Sequence, residues 1–315
     1  MRIVFMGSAE LACPCLDVVL GQPGHVVAGV VSQPARPCGR SLKPTPCPAH
    51  AHALEKGLPV LTPDRINTPD MIEALRAYHP DLIVVVAYGQ ILKPTILDLP
   101  PLGCVNVHAS LLPKYRGAAP IQWAIANGEI KTGVTTMYMS PGMDEGDIID
   151  QSEVDIFPGE TAGLLHQRLS QAGAILLAST VERICAGTVR RRAQNPAEAT
   201  YAVKLKKRDG RLEWRLPATV LCCRIRGFNP WPGCYMELGG DQPLKIKVLS
   251  AQVEAAPEGA VQVPGTLLST KGEGPLIQAG EQAVRLLEVQ PEGKRPMSGA
   301  AWARGYPLKA GCVLS

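Results

Sequence analysis

The chain is 315 residues long, 46% hydrophobic and 19% charged, with a net charge of +4. This is the composition of an ordinary folded protein, and at about 100–200 residues per domain the length provides for two domains. The longest strongly apolar run, Leu82 to Ala87, is far short of the ~20 residues a membrane-spanning helix needs, and Met1–Gly7 lacks the length and cleavage pattern of an export signal. Neither a membrane protein nor a secreted one is expected, and the expected compartment is the cytosol.

In chain order, Arg2–Met6 is the first predicted strand and Glu10–Leu20 the first helix, followed by a strand over His25–Ser32. Helices are predicted near Ala49–Lys56 and Pro69–Tyr78. The next strand, Asp81–Ala87, holds the apolar run Leu82–Val86 and so is expected to be central and buried on both faces. A strand over Cys104–His108, a helix over Pro120–Asn127 and a strand over Gly133–Met139 come next. The helix predicted for Thr161–Ala186 has Leu164, Leu165, Leu169, Ile175 and Leu176 at helical spacing. Strands alternating with helices predict an α/β domain over residues 1–189, built on a mostly parallel sheet covered on both faces.

Residues 190–203 read as a linker, opening on Arg190, Arg191 and Arg192 and passing through Asn195-Pro196. Beyond it the pattern changes. A helix is predicted over Pro217–Gly227, and strands over Lys245–Leu249, Gly265–Ser269 and Ala283–Val289 are separated by Gly/Pro turns. Residues 204–315 are therefore expected to form a small, mostly β domain, a barrel. This part holds 16 Lys/Arg against 10 Asp/Glu, a net of +6, and residues 1–203 hold 16 against 18, a net of −2. A basic second half suits a polyanionic partner as well as it suits a solvated face.

The ten cysteines are scattered, several in apolar contexts (Cys104, Cys185, Cys222, Cys223), as expected of reduced thiols without a disulfide framework. Cys38, Cys47, His50 and His52 are metal-ligand types, but the Cys38–Cys47 gap matches no common zinc spacing, and no metal is expected. Cys13-Pro14-Cys15 is not the Cys-x-x-Cys of redox pairs. The turn Gly7-Ser8-Ala9-Glu10-Leu11 lacks the Gly-x-Gly-x-x-Gly fingerprint of dinucleotide sites, and no phosphate-binding P-loop is present.

Chemistry is concentrated around Cys104-Val105-Asn106-Val107-His108. Asn106 and His108 are two apart, so they share one face near the carboxyl end of a strand. Ligands of open parallel sheets bind at that end. A Gly-Ala-Ala-Pro turn follows a basic segment in SLLPKYRGAAPI (110–121), and a Gly-punctuated acidic loop, PGMDEGD (141–147), follows the next strand.

Asn106-x-His108 with these two segments resembles the signature of the folate-dependent formyltransferases. The glycinamide ribonucleotide branch of that family consists of single domains and leaves the last third of the chain unexplained. The methionyl-tRNA branch is similar over the whole length, and implies a Rossmann-like domain, a linker and an oligonucleotide-binding-like β-barrel. Two further segments resemble that branch: the loop 33–44 inserted after the second strand, and Arg226-Gly227-Phe228-Asn229-Pro230-Trp231-Pro232-Gly233. The family often has Gly-Arg-Gly-Lys-Lys in the loop, where this chain has Gly39-Arg40-Ser41-Leu42-Lys43, with one glycine replaced and the lysines thinned.

The resemblance implies a formyl donor, 10-formyltetrahydrofolate, and an acceptor, the free amine of methionyl initiator tRNA. It implies Asn106, His108 and Asp144 as the catalytic set. The Asn106 amide and a protonated His108 would donate to the formyl oxygen as charge develops there, with Asp144 holding the imidazole and relaying a proton to the leaving nitrogen. The folate is expected against Tyr88, Gly89, Gln90, Ile91 and Leu92, Ser110, Leu111, Leu112 and Pro113, and Gly142. The tRNA is expected against Arg36, Arg40, Lys43, Lys204, Lys206 and Lys207. Arg116 reads as a structural or substrate-facing cation without an assigned partner, and Trp231 as a packing residue. Nothing in the sequence demands a partner chain, so a monomer is expected. An amino-sugar formyltransferase, a formyltetrahydrofolate hydrolase and a non-enzymatic RNA-binding protein remain as alternatives.

Overall fold

The structure, a computed structural model, describes residues 1–38, 43–239, 244–259, 263–306 and 308–314. It divides into two units, one comprising Met1–Pro120, Lys131–Asp155 and His166–Ala202, the other Ile121–Ile130, Ile156–Leu165 and Val203–Ser315.

The first unit contains β1 (Arg2–Gly7), α1 (Ala12–Gly21), β2 (Val26–Val31), the short strands β3 (Arg36–Cys38) and β4 (Lys43–Thr45), α2 (Pro48–Glu55), β5 (Val60–Leu61), α3 (Pro69–Ala77), β6 (Leu82–Val86), α4 (Pro94–Leu97), β7 (Cys104–His108) and β8 (Arg116–Gly117). After α5 (Pro120–Ala126), which from Ile121 onward belongs to the second unit, come β9 (Lys131–Tyr138), β10 (Ile148–Asp155), the long helix α6 (Ala162–Cys185) and β11 (Tyr201–Ala202). The main sheet has the order β10-β9-β7-β6-β1-β2-β5. Strands β7, β6, β1, β2 and β5 are parallel, and β9 and β10 are antiparallel additions at one edge. This is the expected Rossmann-like α/β architecture.

β6 is buried along its whole length, as its unbroken apolar run requires. On one face, Val4, Met6, Ile83 and Val85 pack with Ile66, Leu75 of α3 and Ile96 of α4. On the other, α6 lies against β7 and β9: the Thr136 and Thr180 hydroxyls are 2.8 Å apart, and a β-carbon at Gly173 would come 3.2 Å from Val107. β10 was not expected. Only Ile148 and Ile149 of its eight residues are buried hydrophobics, the pattern of a half-solvated edge strand.

Of residues 190–203, read as a linker, those up to Ala202 are hydrogen-bonded into this unit. Arg192 exchanges backbone bonds with Ile148, and β11 pairs in parallel with β8. Arg191 stacks 3.8 Å over the Tyr138 ring.

The second unit is built on α7 (Ala218–Gly227), β12 (Cys234–Leu238), β13 (Leu244–Glu254), β14 (Leu267–Ser269), β15 (Leu276–Gln278), β16 (Ala283–Pro291), β17 (Met297–Ser298) and α8 (Gly299–Gly305). Its antiparallel sheet runs β12-β13-β16-β15-β14, with β17 on β16, and is curled into a half-barrel. Register shifts between Val248 and Ala251 bend β13 and increase its local twist. Trp123 packs edge-on against Phe228 with centroids 5.5 Å apart, and its indole donates to the Val203 carbonyl at 2.9 Å. Trp231 differs from its expectation: it is 48% exposed.

The nine cysteines whose side chains are described are free thiols. Burial pushes Cys15, Cys104 and Cys234 up to about 12, which keeps them protonated and inert. Cys185, expected in an apolar setting, is exposed.

Candidate active site

β7 delivers Asn106 and His108 to the carboxyl end of the parallel strands, in register with Val85 and with the residue beyond Val86 of β6. The His108 imidazole is buried, and its Nε2 lies 2.9 Å from the Tyr115 carbonyl oxygen. A carbonyl only accepts, so Nε2 carries a hydrogen. Nδ1 then faces Oδ2 of Asp144 at 3.6 Å, beyond hydrogen-bonding distance but within reach of a small closure. Asn106 is half-buried, and its side-chain amide makes no hydrogen bond among the described residues.

Asp144 is held by its carboxylate and by its backbone. Oδ2 accepts from the Gly117 N–H at 2.8 Å. Gly117 has φ 115°, and a β-carbon there would sit 2.8 Å from the Ala202 carbonyl oxygen, so only glycine brings that N–H to the carboxylate. Gly146 is similarly confined: a β-carbon would fall 1.8 Å from the Tyr138 carbonyl oxygen. Ala87, Tyr115 and Asp144 have φ of 47°, 59° and 52°. These are three of the five non-glycine residues with positive φ among the described residues, and they lie in and beside this constellation. Backbone of this kind persists where surrounding structure holds it, and it concentrates at functional sites.

Several polar residues that sequence reasoning passed over brace these loops. The Thr135 hydroxyl donates to the Ser110 carbonyl at 2.6 Å and accepts from the Leu112 N–H at 3.1 Å. The Gln151 amide donates to the Leu112 carbonyl and to Thr135, and its oxygen accepts from Arg192. Thr200 accepts from the Tyr115 N–H at 2.8 Å. Arg116, 4% exposed, gains the partners the sequence could not assign: it donates to Oε1 of Gln194 at 3.1 and 2.7 Å and lies 3.8 Å from Glu145. Thr135 carried a signal of sorts, as a polar residue inside a buried strand. Gln151, Gln194 and Thr200 carried none.

The segment after β6 divides between core and surface. Tyr88 and Leu92 are buried in the core beside Ile96, and the Tyr88 hydroxyl, without a partner among the described residues, is pushed above the usual tyrosine range by burial. Gly89 (φ 86°) and Ile91 (71% exposed) face outward. The Gln90 side chain is occupied with the Ile66 N–H and the Pro63 carbonyl. Ser110 is fully buried and donates to the Lys114 carbonyl at 2.6 Å. Leu111 and Pro113 are half-buried, Leu112 is buried beside Met137 and Ile148, and Gly142 lies two residues before Asp144.

Arg36 and Lys43 lie exposed on the β3–β4 hairpin, whereas Arg40 falls outside the described residues. Lys204, Lys206 and Lys207 are exposed at the start of the second unit and make no ion pair with a carboxylate among the described residues. No group of three or more metal-ligating side chains is assembled among the described residues.

Comparison with known proteins gives two family matches: "Formyl transferase" over residues 1–181, and "Formyl transferase, C-terminal domain" over residues 204–307. The chain is 45% identical over 314 residues to the methionyl-tRNA formyltransferase of Moorella thermoacetica, covering 100% of this chain and 99% of that one. It is 44% identical over 306 residues to that of Chloroflexus aggregans, covering 97% of each. Among solved structures it is similar to an N-formyltransferase from Helicobacter canadensis in complex with folinic acid and dTDP-3-aminofucose, with a TM-score of 0.63, 17% identity, and coverage of 91% of this chain and 99% of that one. That last likeness is one of fold.

Proposed function

This chain belongs to the formyl transferase family, and from that premise we propose that it transfers the formyl group of 10-formyltetrahydrofolate to the free amino group of methionyl initiator tRNA, for the start of protein synthesis. The observation that carries the chemistry is the His108 ring, committed at Nε2 to the Tyr115 carbonyl and turned at Nδ1 toward Asp144. The acceptor is supported by full-length similarity to methionyl-tRNA formyltransferases and by the net +6 charge of residues 204–315.

The methionyl amine attacks the formyl carbon, and negative charge gathers on the formyl oxygen. Asn106 supplies one hydrogen-bond donor to that oxygen through its uncommitted amide. With Nε2–H already donated to Tyr115, the N–H that His108 can offer the oxygen is that of a protonated Nδ1; the Asp144 carboxylate, 3.6 Å from that nitrogen and so beyond hydrogen-bonding distance, supplies the counter-charge and leaves the N–H for the oxygen. As the new C–N bond forms, the bond to the folate nitrogen breaks. The proton lost by the attacking amine is balanced by one reaching that nitrogen, with Asp144 as the relay. The products are formylmethionyl-tRNA and tetrahydrofolate.

The folate lies against Tyr88–Leu92, Ser110–Pro113 and Gly142 in this reading, with Ile91 the apolar side chain best placed to meet a ring. Arg36, Arg40 and Lys43, and Lys204, Lys206 and Lys207, meet tRNA phosphates. The same proposal takes residues 1–189 as the catalytic domain, 190–203 as the linker and 204–315 as the tRNA-binding domain, in a cytosolic, monomeric protein that needs no metal.

The test is to offer the purified protein 10-formyltetrahydrofolate with methionyl initiator tRNA, with a 4-amino sugar nucleotide, or with buffer alone. Formyl transfer to the tRNA is expected. Formylation of the sugar nucleotide but not the tRNA, or hydrolysis of the donor without an acceptor, would overturn the reading.

A further inference from the structure

We infer that Gln194 is a positioning residue of the formyl-transfer site, acting through the loop that carries Asp144. The inference rests on the functional reading above. Gln194 lies in Ala193-Gln194-Asn195-Pro196, a stretch whose composition says only linker. Its side chain is nonetheless fully engaged. Nε2 donates to the carbonyl oxygens of Asp144 and Gly146, both at 2.8 Å. Oε1 accepts from Nε and Nη2 of Arg116 at 3.1 and 2.7 Å. Both amide hydrogens and both oxygen lone pairs are thereby used.

Arg116 fixes which way the amide points. The guanidinium carries only donors and is 4% exposed, so the amide oxygen must face it. A flipped amide would set N–H against N–H on one side and oxygen against two carbonyls on the other. The two donors are therefore aimed at the loop without ambiguity. The clamp also joins the two segments that define the site: Arg116 adjoins Gly117, whose N–H binds the Asp144 carboxylate, and lies next to Tyr115, whose carbonyl orients His108.

The loop needs such a clamp. Asp144 has φ 52°, a conformation that non-glycine residues rarely adopt unless held, and its carboxylate must stay within reach of Nδ1, now 3.6 Å away. Gln194 grips the backbone on both sides of Glu145 and leaves the Asp144 carboxylate free for Gly117 and His108. It touches no reacting atom.

The discriminating variant is Gln194→Glu, which keeps an acceptor facing Arg116 and so preserves the buried cation's partner, while setting oxygen against the two loop carbonyls. Gln194→Ala, which removes both halves of the clamp, serves as the second. For Gln194→Glu the expected results are a melting temperature close to the parent's, kcat for formylation lower by about 10²-fold as for misplacement by an ångström or so, and a folate KM within about threefold. The pH profile of kcat is expected to shift, because Asp144 and Nδ1 no longer hold their spacing.

Hydrogen exchange of the amides in 139–147 is measured on the same proteins, and is expected to be at least about tenfold faster in the variant while the strands β1 and β6 are unchanged. Unchanged loop exchange overturns the inference. So does faster exchange with kcat and its pH profile unmoved, which would make the clamp structural only. The exchange measurement needs no acceptor. A parent protein that formylates no tRNA would therefore count against the functional reading, while the clamp is still decided by the loop.

Discussion

At the scale of single residues, the site is a division of labour between a donor left free and a ring that is held. Asn106 offers an uncommitted amide, whereas His108 is fixed at one nitrogen so that the other can act. Asn106→Ala should accordingly lower kcat by on the order of 10²–10³, the usual consequence of losing one oxyanion donor. Because the side chain is half-buried and makes no hydrogen bond within the described residues, the melting temperature should barely move. Steady-state kinetics beside a thermal melt separates the two effects; a large fall in stability with kcat preserved would contradict the role. The placement of Asn106 and His108 together near the carboxyl end of a strand was legible because a strand puts i and i+2 on one face. Asp144 came mostly from resemblance, since an aspartate in a Gly-rich turn is ordinary on local grounds. The Tyr115 carbonyl could not be read at all: a backbone oxygen has no side-chain signature, and φ 59° at a tyrosine is not announced by composition.

At the scale of elements, legibility followed length and apolar continuity. The central strands and the long helix α6 fall within about two residues of their expected limits, because each carries a sustained hydrophobic pattern. The short strands β5, β8, β11 and β17 span only two residues each and are defined by their pairing partners, so no local pattern could announce them. In the second unit, the pairing of β13 with β16 carries a test of its own. Arg285 donates from Nε and Nη2 to the two Glu254 oxygens at 2.8 and 2.6 Å, and from Nη1 to the carbonyls of Lys271 and Gly274. The bidentate bond to Arg285 holds the Glu254 carboxyl below its usual range. A depressed folded-state value means that the pair stabilises above the unfolded carboxylate range, near 4.5, and that this stability fades as pH falls through the folded value. Glu254→Gln should thus lower the melting temperature modestly at pH 7, the pair being partly exposed and screened. The difference from the parent should shrink as pH falls through the folded value and the carboxyl takes up its proton, and a difference that stays constant as pH falls would argue that packing, not charge, is at stake.

At the scale of the whole molecule, the two-part division was legible from the change in pattern near residue 200, but its discontinuity was not. Ile121–Ile130 and Ile156–Leu165 group with the second unit although they lie within the first 189 residues. Local periodicity names an element without saying which core receives it. The charge asymmetry, in contrast, is a property of composition and was readable directly. If Lys204, Lys206 and Lys207 meet phosphates, replacing all three by alanine should weaken tRNA binding about equally for different tRNA sequences. It should also reduce the slope of log affinity against log salt by about 2–3. A slope unchanged in the triple variant would remove these lysines from the interface.

The most direct test of the central claim places both kinds of acceptor in one tube. Formyl-labelled 10-formyltetrahydrofolate is supplied with equal concentrations of methionyl initiator tRNA and a 4-amino sugar nucleotide, and the initial rate at which label enters each is measured. Label is expected on the methionyl amine of the tRNA, abolished when that amine is blocked by acetylation. Label on the sugar nucleotide with none on the tRNA would contradict it.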